Sequence, residues 1–317
     1  MALDHYISQV HLRTFYSPAL GERLYAVRKR DHRAFTARSE ALCRIEDGST
    51  NAYLAHDRVI EDFLKTIEPK YNATVAKLAA GNIDHEDVYV IAGFAAYVGT
   101  CSPAGMRIHS GPLKSILESS ALALDAVEAF PPPPESLGGA SLAKLLQTGK
   151  LKIAIDPKYP QAIGIANILS MTAMFGNFQW EILQNNIDDS PFFTSDFPVA
   201  IEDTDDPRVL NRIVPLTPYL AVRILPNIKL DREQCDFTFA HFDCRVRKIG
   251  RRELTAVNRL LVRCAEHLVF YRDDHPWVQP FIRRNSTYRI EMQTQELPQP
   301  SGAILWSRQR IVSAHPV

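Results

Sequence analysis

His5, Gln9 and Arg13 recur at four-residue spacing, which places all three on one face if the segment is helical. A neutral imidazole serves as a general base or a metal ligand, and a guanidinium grips phosphate or carboxylate through a planar fork. The same residues can instead tie the N-terminus to the body of the fold, since an ordered terminus needs such ties. A second polar block, Thr194–Ser195–Asp196, follows the apolar Phe192–Phe193 and precedes Phe197–Pro198. An aspartate at the end of an apolar strand can hold a divalent cation, act as a base or orient a histidine. Its competing reading is an Asx or hydroxyl turn ahead of a proline. Brought together, the blocks would supply what a phosphodiesterase needs: His5 as base, Asp196 as acid or metal ligand, and Arg13 as the cation on phosphate. Gln9, Thr194 and Ser195 would then touch substrate.

Other charged clusters have plainer readings. Glu61, Asp62 and Glu68 fall in a helical stretch, where acidic residues are normally solvated. Glu68 stands apart because it follows the core-facing Ile67, which makes it a further substrate contact. The basic stretches Arg28 to Arg33 and Arg245 to Arg252 suit phosphate if they converge, and otherwise blunt strand edges. The acidic run Glu202 to Asp206 reads as an exposed loop. No glycine-rich phosphate loop, HExxH, GxSxG or EF-hand pattern is present.

Composition narrows the classes. Lys+Arg and Asp+Glu both number 36, so bulk charge does not hold this chain to nucleic acid or membrane, although a local basic patch remains open. The longest apolar run, Val88 to Gly99, is too short to span a bilayer. Five cysteines without a CxxC pair read as reduced thiols, and polar residues occupy the place of a secretory signal, so cytoplasm is expected. With 46% hydrophobic residues, a sizeable core is expected.

The elements that must position these groups follow from periodicity. Leu24 to Val27 reads as a strand, and Phe35 to Arg44 holds a second. Helical spacing runs from about His56 to Val127, with Pro69 as an interruption, Gly81–Asn82 as a stop, Asp84 as an N-cap, and Pro103 and Gly105 as the end of the next helix. Pro131 to Pro134 reads as a linker, and 131–150 as an internal loop. Helix returns from Pro160 to Met174. Phe178, Trp180 and Ile182 alternate as a strand and are expected to pair with Pro191 to Thr194 as a hairpin. Asn211 to Leu225 holds two more strands. A last helix carries Leu254, Val257, Leu261, Cys264 and Leu268 and leads into Val269–Phe270–Tyr271, and the polar tail beyond Pro276 gives only a weak signal.

The order of these pieces resembles a bacterial-type family known as the domain of unknown function numbered 4238. His5–Tyr6–Ile7–Ser8–Gln9 with Leu12–Arg13–Thr14–Phe15 resembles its HYxPQxxLRxF opening. Trp180 and Thr194–Ser195–Asp196–Phe197–Pro198–Val199 resemble its W…FxTSDxPV block, and Asp84 to Arg107 follows in the same order. Val214 to Pro218 and Ala256–Val257–Asn258 resemble later elements. Ser8 stands where the family has proline, and Cys101–Ser102–Pro103 where an arginine–threonine–proline is expected. The resemblance implies no activity, but it marks both polar blocks as site regions and adds Arg107 as a substrate contact.

The expectation is one integrated α+β domain over 1–317. It has a strand-rich entry (1–55), a helical layer (56–130), the loop (131–150), a helix with antiparallel sheet and closing helix (151–275), and a C-terminal extension (276–317). The functional expectation is a nucleic-acid- or nucleotide-directed hydrolase of nuclease type, with a divalent cation such as magnesium as the cofactor it would take. The alternative is a non-catalytic binding protein in which the same residues clamp the structure. No membrane partner is expected.

Overall fold

Helical spacing and strand alternation sort the chain into successive stretches, and the computed structural model, which describes residues 3–131, 135–299 and 302–314, assembles them as an α+β fold. The entry carries β1 (Leu3–His5), α1 (Gln9–Arg13), β2 (Leu24–Arg28), β3 (Ala34–Ala37) and β4 (Arg44–Glu46). The helical layer holds α2 (Val59–Ile67), α3 (Tyr71–Ala80), α4 (His85–Cys101) and α5 (Pro103–Ala126). Asp84 caps α4 reciprocally with Asp87, each carboxylate accepting the other's backbone N–H. The α4 sequence is apolar almost all round, so this helix is buried in the core.

As expected, α4 stops at Cys101 just ahead of Pro103, but Pro103 also opens α5 at its first position, where its missing N–H costs nothing. Ser102 caps α5 through the Gly105 N–H, and the two axes bend by 64°. The close approach at the bend requires glycine, because a Cβ on Gly105 would lie 2.2 Å from the Gly99 carbonyl oxygen. No single helix among the described residues is long and apolar enough to cross a membrane.

The stretch expected to be loop contains α6 (Leu142–Gln147), because the Asp125 carboxylate accepts from the N–H groups of Leu142 and Ala143 and so starts a helix there. Residues 132–134 of the proline run lie outside the described residues. Next come α7 (Lys158–Ala166), α8 (Ile168–Gly176), β5 (Gln179–Gln184), β6 (Thr194–Ser195), β7 (Ala200–Asp203), β8 (Leu210–Thr217), β9 (Leu220–Leu225), β10 (Asp243–Lys248), α9 (Arg251–Cys264) and β11 (Leu268–Tyr271). The weakly patterned tail forms α10 (Val278–Asn285) and a long ribbon of β12 (Tyr288–Gln299) with β13 (Gly302–Ser313).

Two sheets matter for the site. One has the order β10-β5-β9-β8-β7, antiparallel except for the β10–β5 pair, and the other is antiparallel with order β3-β2-β11-β6. The hairpin expected between 178–182 and 191–194 does not form. Strand β5 pairs with β9 and β10, while Thr194–Ser195 joins β11 in the other sheet. Asn258 of α9 explains the departure: its side chain accepts from the Phe193 N–H and donates to the Pro191 carbonyl, taking the hydrogen bonds a partner strand would have taken. Ile7, Phe94, Trp180 and Leu261 share one hydrophobic core, so entry segment, helical layer, sheet and closing helix pack together.

Candidate functional site

The two polar blocks do meet, through a residue on the other face of α1. Ile7, His11 and Phe15 share the same four-residue spacing as His5, Gln9 and Arg13, and this second row is the buried one. His11 lies fully inside, with Nδ1 2.7 Å from the Tyr71 hydroxyl and Nε2 2.8 Å from Thr194 Oγ1. The rings of Phe15, Tyr71 and Phe94 surround it. Burial pushes its pKa down to about 3, so the imidazole is neutral, with one nitrogen donating and the other accepting. This bridge fastens α1, α3 and β6 at a single point.

Asp196 is 1% exposed. Its Oδ1 accepts from the Glu266 N–H at 2.9 Å, and its Oδ2 from the N–H groups of His267 and Leu268 at 2.7 and 3.0 Å. Burial pushes this carboxyl up to about 6, against the pull of those N–H donors and of Lys29. The Lys29 ammonium donates to the carbonyls of Ala265 (2.5 Å), Tyr288 (2.7 Å) and Arg263 (3.4 Å). Burial lowers Lys29 to about 8. The loop between α9 and β11 is thus held by an anion on its N–H groups and a cation on its carbonyls. Ser195 completes a local turn by accepting from the Phe197 N–H.

The outward row stays near the surface. Gln9 lies 3.5 Å from His5 Nδ1 and accepts from Arg13, whose guanidinium also reaches Glu40 at 3.2 Å. His5 Nε2 is buried without a hydrogen-bond partner among the described residues, and burial lowers the His5 pKa. Glu68 accepts from Ser8, the residue that replaces the family's proline. Arg107 binds both oxygens of Glu266 at 2.9 and 2.6 Å and also reaches Glu291. Glu61 and Asp62 are surface partners of Arg58 and Lys65. The two basic stretches do not converge, for Arg245 and Arg247 surround the buried Glu181 beside Arg223 in the five-stranded sheet. In the acidic run, Glu202, Asp203 and Asp206 pair with Arg223, Arg308 and Arg208. Among the described residues, no three His, Cys, Asp or Glu side chains gather as metal ligands.

The first basic stretch fares otherwise. A cavity of about 680 Å³ opens between the β2–β3 turn, the α9–β11 loop and the start of β12. Arg28, Lys29, Arg30 and Arg289 line it, with Glu266 as the one carboxylate and His32 and His267 beside them. Phe35, Leu42 and Tyr288 supply apolar surface. The outward row stands behind one wall: Ser39 and Glu40 bind Arg13, and the next two residues, Ala41 and Leu42, line the cavity. Asp196 stands behind another wall, since Glu266, His267 and Leu268 line the cavity through the loop it holds.

Of the residues named from sequence, none of His5, Gln9, Arg13, Glu68, Arg107, Thr194, Ser195 and Asp196 lines this cavity. His32 falls within the Arg28 to Arg33 stretch, Arg289, Tyr288 and His267 carried no sequence signal, and His11 was legible from its spacing with Ile7 and Phe15. No curated protein and no solved structure matches the chain. A family model described as a protein of unknown function (DUF4238) matches residues 4–275, which takes in both polar blocks, the β2–β3 turn and the α9–β11 loop, and the chain belongs to that family.

Proposed function

We propose that this chain binds a phosphate-bearing ligand of the nucleotide or nucleic-acid class in the cavity, and that the two family blocks build its walls. The observation that carries the reading is charge: four cations line the cavity against one carboxylate, and that carboxylate is already met by Arg107. Guanidinium groups bind phosphate oxygens in pairs, and partial burial strengthens such bonds. Asp31 offsets part of Arg28 and Arg30, and Glu291 part of Arg289, which leaves an anion room to compete for exposed guanidinium faces. A cytoplasmic setting suits the five unpaired cysteines.

The test is calorimetric titration with AMP. Saturable binding is expected, weakened about tenfold or more by Arg28→Gln combined with Arg289→Gln, since each charged hydrogen bond is worth roughly 1.5–3 kcal/mol. Absence of saturable binding at millimolar AMP would refute the reading.

Hydrolysis of the bound ligand is the second reading, favoured by His267, which lines the cavity beside Glu266 and is of the residue type that most often acts as a general base. In this reading the titrated mixtures, supplied with magnesium, turn over RNA, DNA or a nucleotide and lose that activity in His267→Ala.

A further inference from the structure

We propose that the occupant of the cavity is a single-stranded nucleic acid, with its phosphates running across a rim of four arginines and one base stacked inside. This rests on the phosphate-binding reading and names its substrate class. The rim is assembled by one tie. His32 holds a left-handed backbone conformation, φ +57°, which is costly for a residue with a side chain and persists only where its surroundings fix it. Its Nε2 lies 2.7 Å from Ser286 Oγ, at the end of α10. That bond pins the β2–β3 turn against the last turn of α10. Arg30 and Arg33 lie within two residues of His32, and Arg283 and Arg284 within three of Ser286, so the tie draws the two pairs toward the edge of the cavity that Arg30, His32 and Ser286 line.

All four arginines are exposed. Among the described residues, Arg33, Arg283 and Arg284 have no carboxylate within ion-pair distance, and Arg30 reaches only Asp31 at 4.0 Å. Exposed cations left unpaired around the mouth of a basic cavity extend its field outward, beyond the reach of a single phosphate. Inside, Phe35 is half-buried, and Tyr288 has one ring face taken by the Arg263 guanidinium at 4.0 Å. A basic track with aromatic surface beside it is the combination that binds single strands, because every base has a face to stack. An acidic peptide would use the cations but not the rings. Arg283 and Arg284 lie beyond residue 275, where the family match ends, so half of the rim comes from the C-terminal segment.

The experiment compares the full chain binding AMP with the same chain binding twelve-nucleotide oligo(U) and oligo(dT), at several salt concentrations. We expect an oligonucleotide to bind at least tenfold more tightly than AMP. We also expect a salt dependence near −0.7 per phosphate engaged, about −3 for four contacts. Arg283→Gln combined with Arg284→Gln should roughly halve that slope and erase most of the advantage over AMP. AMP binding without preference for either oligonucleotide overturns the strand proposal while the phosphate reading stands. A salt slope indifferent to the double substitution, or equal competition by a poly-glutamate peptide, overturns it too. If AMP itself fails to bind, both readings fall.

Discussion

Acidification should weaken the fold through His11, by an amount that follows from its burial. In the unfolded chain this imidazole takes up a proton near its ordinary pKa of 6.5, whereas in the folded chain burial holds it down to about 3. A depressed folded pKa means that the stabilisation is complete above 6.5 and is lost as pH falls from there toward 3. At pH 5 the gap of about 1.5 pH units corresponds to roughly 2 kcal/mol, a large share of a typical 5–15 kcal/mol stability. Other groups titrate in the same window. Asp196, whose folded carboxyl holds its proton up to about pH 6, acts in the opposite sense and stabilises on acidification from 6 toward 4. The His11 contribution is therefore read as a difference. His11→Gln keeps a donor and an acceptor for Tyr71 and Thr194 but does not titrate. Urea unfolding of both proteins at pH 8 and pH 5 should show the wild type losing about 2 kcal/mol more than the variant. Parallel losses would refute the assignment of a neutral, sealed imidazole.

Two further substitutions probe the frame of the site. Asp196→Asn leaves three backbone donors facing a group that accepts through one atom only, and should cost roughly 1–3 kcal/mol in denaturant unfolding. Full loss of a nucleolytic activity at an unchanged melting temperature would instead make Asp196 catalytic. Gly105→Ala drives a methyl into the Gly99 carbonyl at the α4–α5 bend and should cost roughly 1–3 kcal/mol, as overpacking does, and a melting temperature equal to wild type would contradict the close approach.

Local rules were legible in this sequence wherever one element decided the outcome. Asp84 capped α4, Gly81 stopped α3 in the left-handed conformation, and the alternation around Trp180 formed a strand. The misreadings came from partners distant in sequence. Asn258 lies far along the chain from Phe193, and no pattern near residues 191–194 shows that a helix side chain will occupy their backbone. The β12–β13 ribbon was unreadable for another reason: outside its first few residues β12 is exposed, so it lacks the alternation a half-buried strand would carry. On α1 the row of His5, Gln9 and Arg13 is the solvent-facing one, and His11, two residues from Arg13, joins the blocks from the inner face.

The same geometry explains how blocks rich in reactive groups end up behind the cavity rather than in it. The α9–β11 loop lines the cavity with Glu266, His267 and Leu268 while its backbone turns sharply between a helix and a strand, which leaves N–H groups and carbonyls without ladder partners. A carboxylate on the donors and an ammonium on the acceptors satisfy both sets at once, and the opposite charges of Asp196 and Lys29 reduce the cost of burying either. Lys29 also lines the cavity, so the group that holds the loop adds its charge to the site the loop shapes. Binding and stability are consequently coupled on one side only. Asp196→Asn should weaken AMP binding in proportion to the lost stability, through movement of Glu266 and His267. Arg289→Gln should weaken binding with little change in melting temperature, because its guanidinium pairs with Glu291 of its own strand and, among the described residues, bonds no backbone carbonyl.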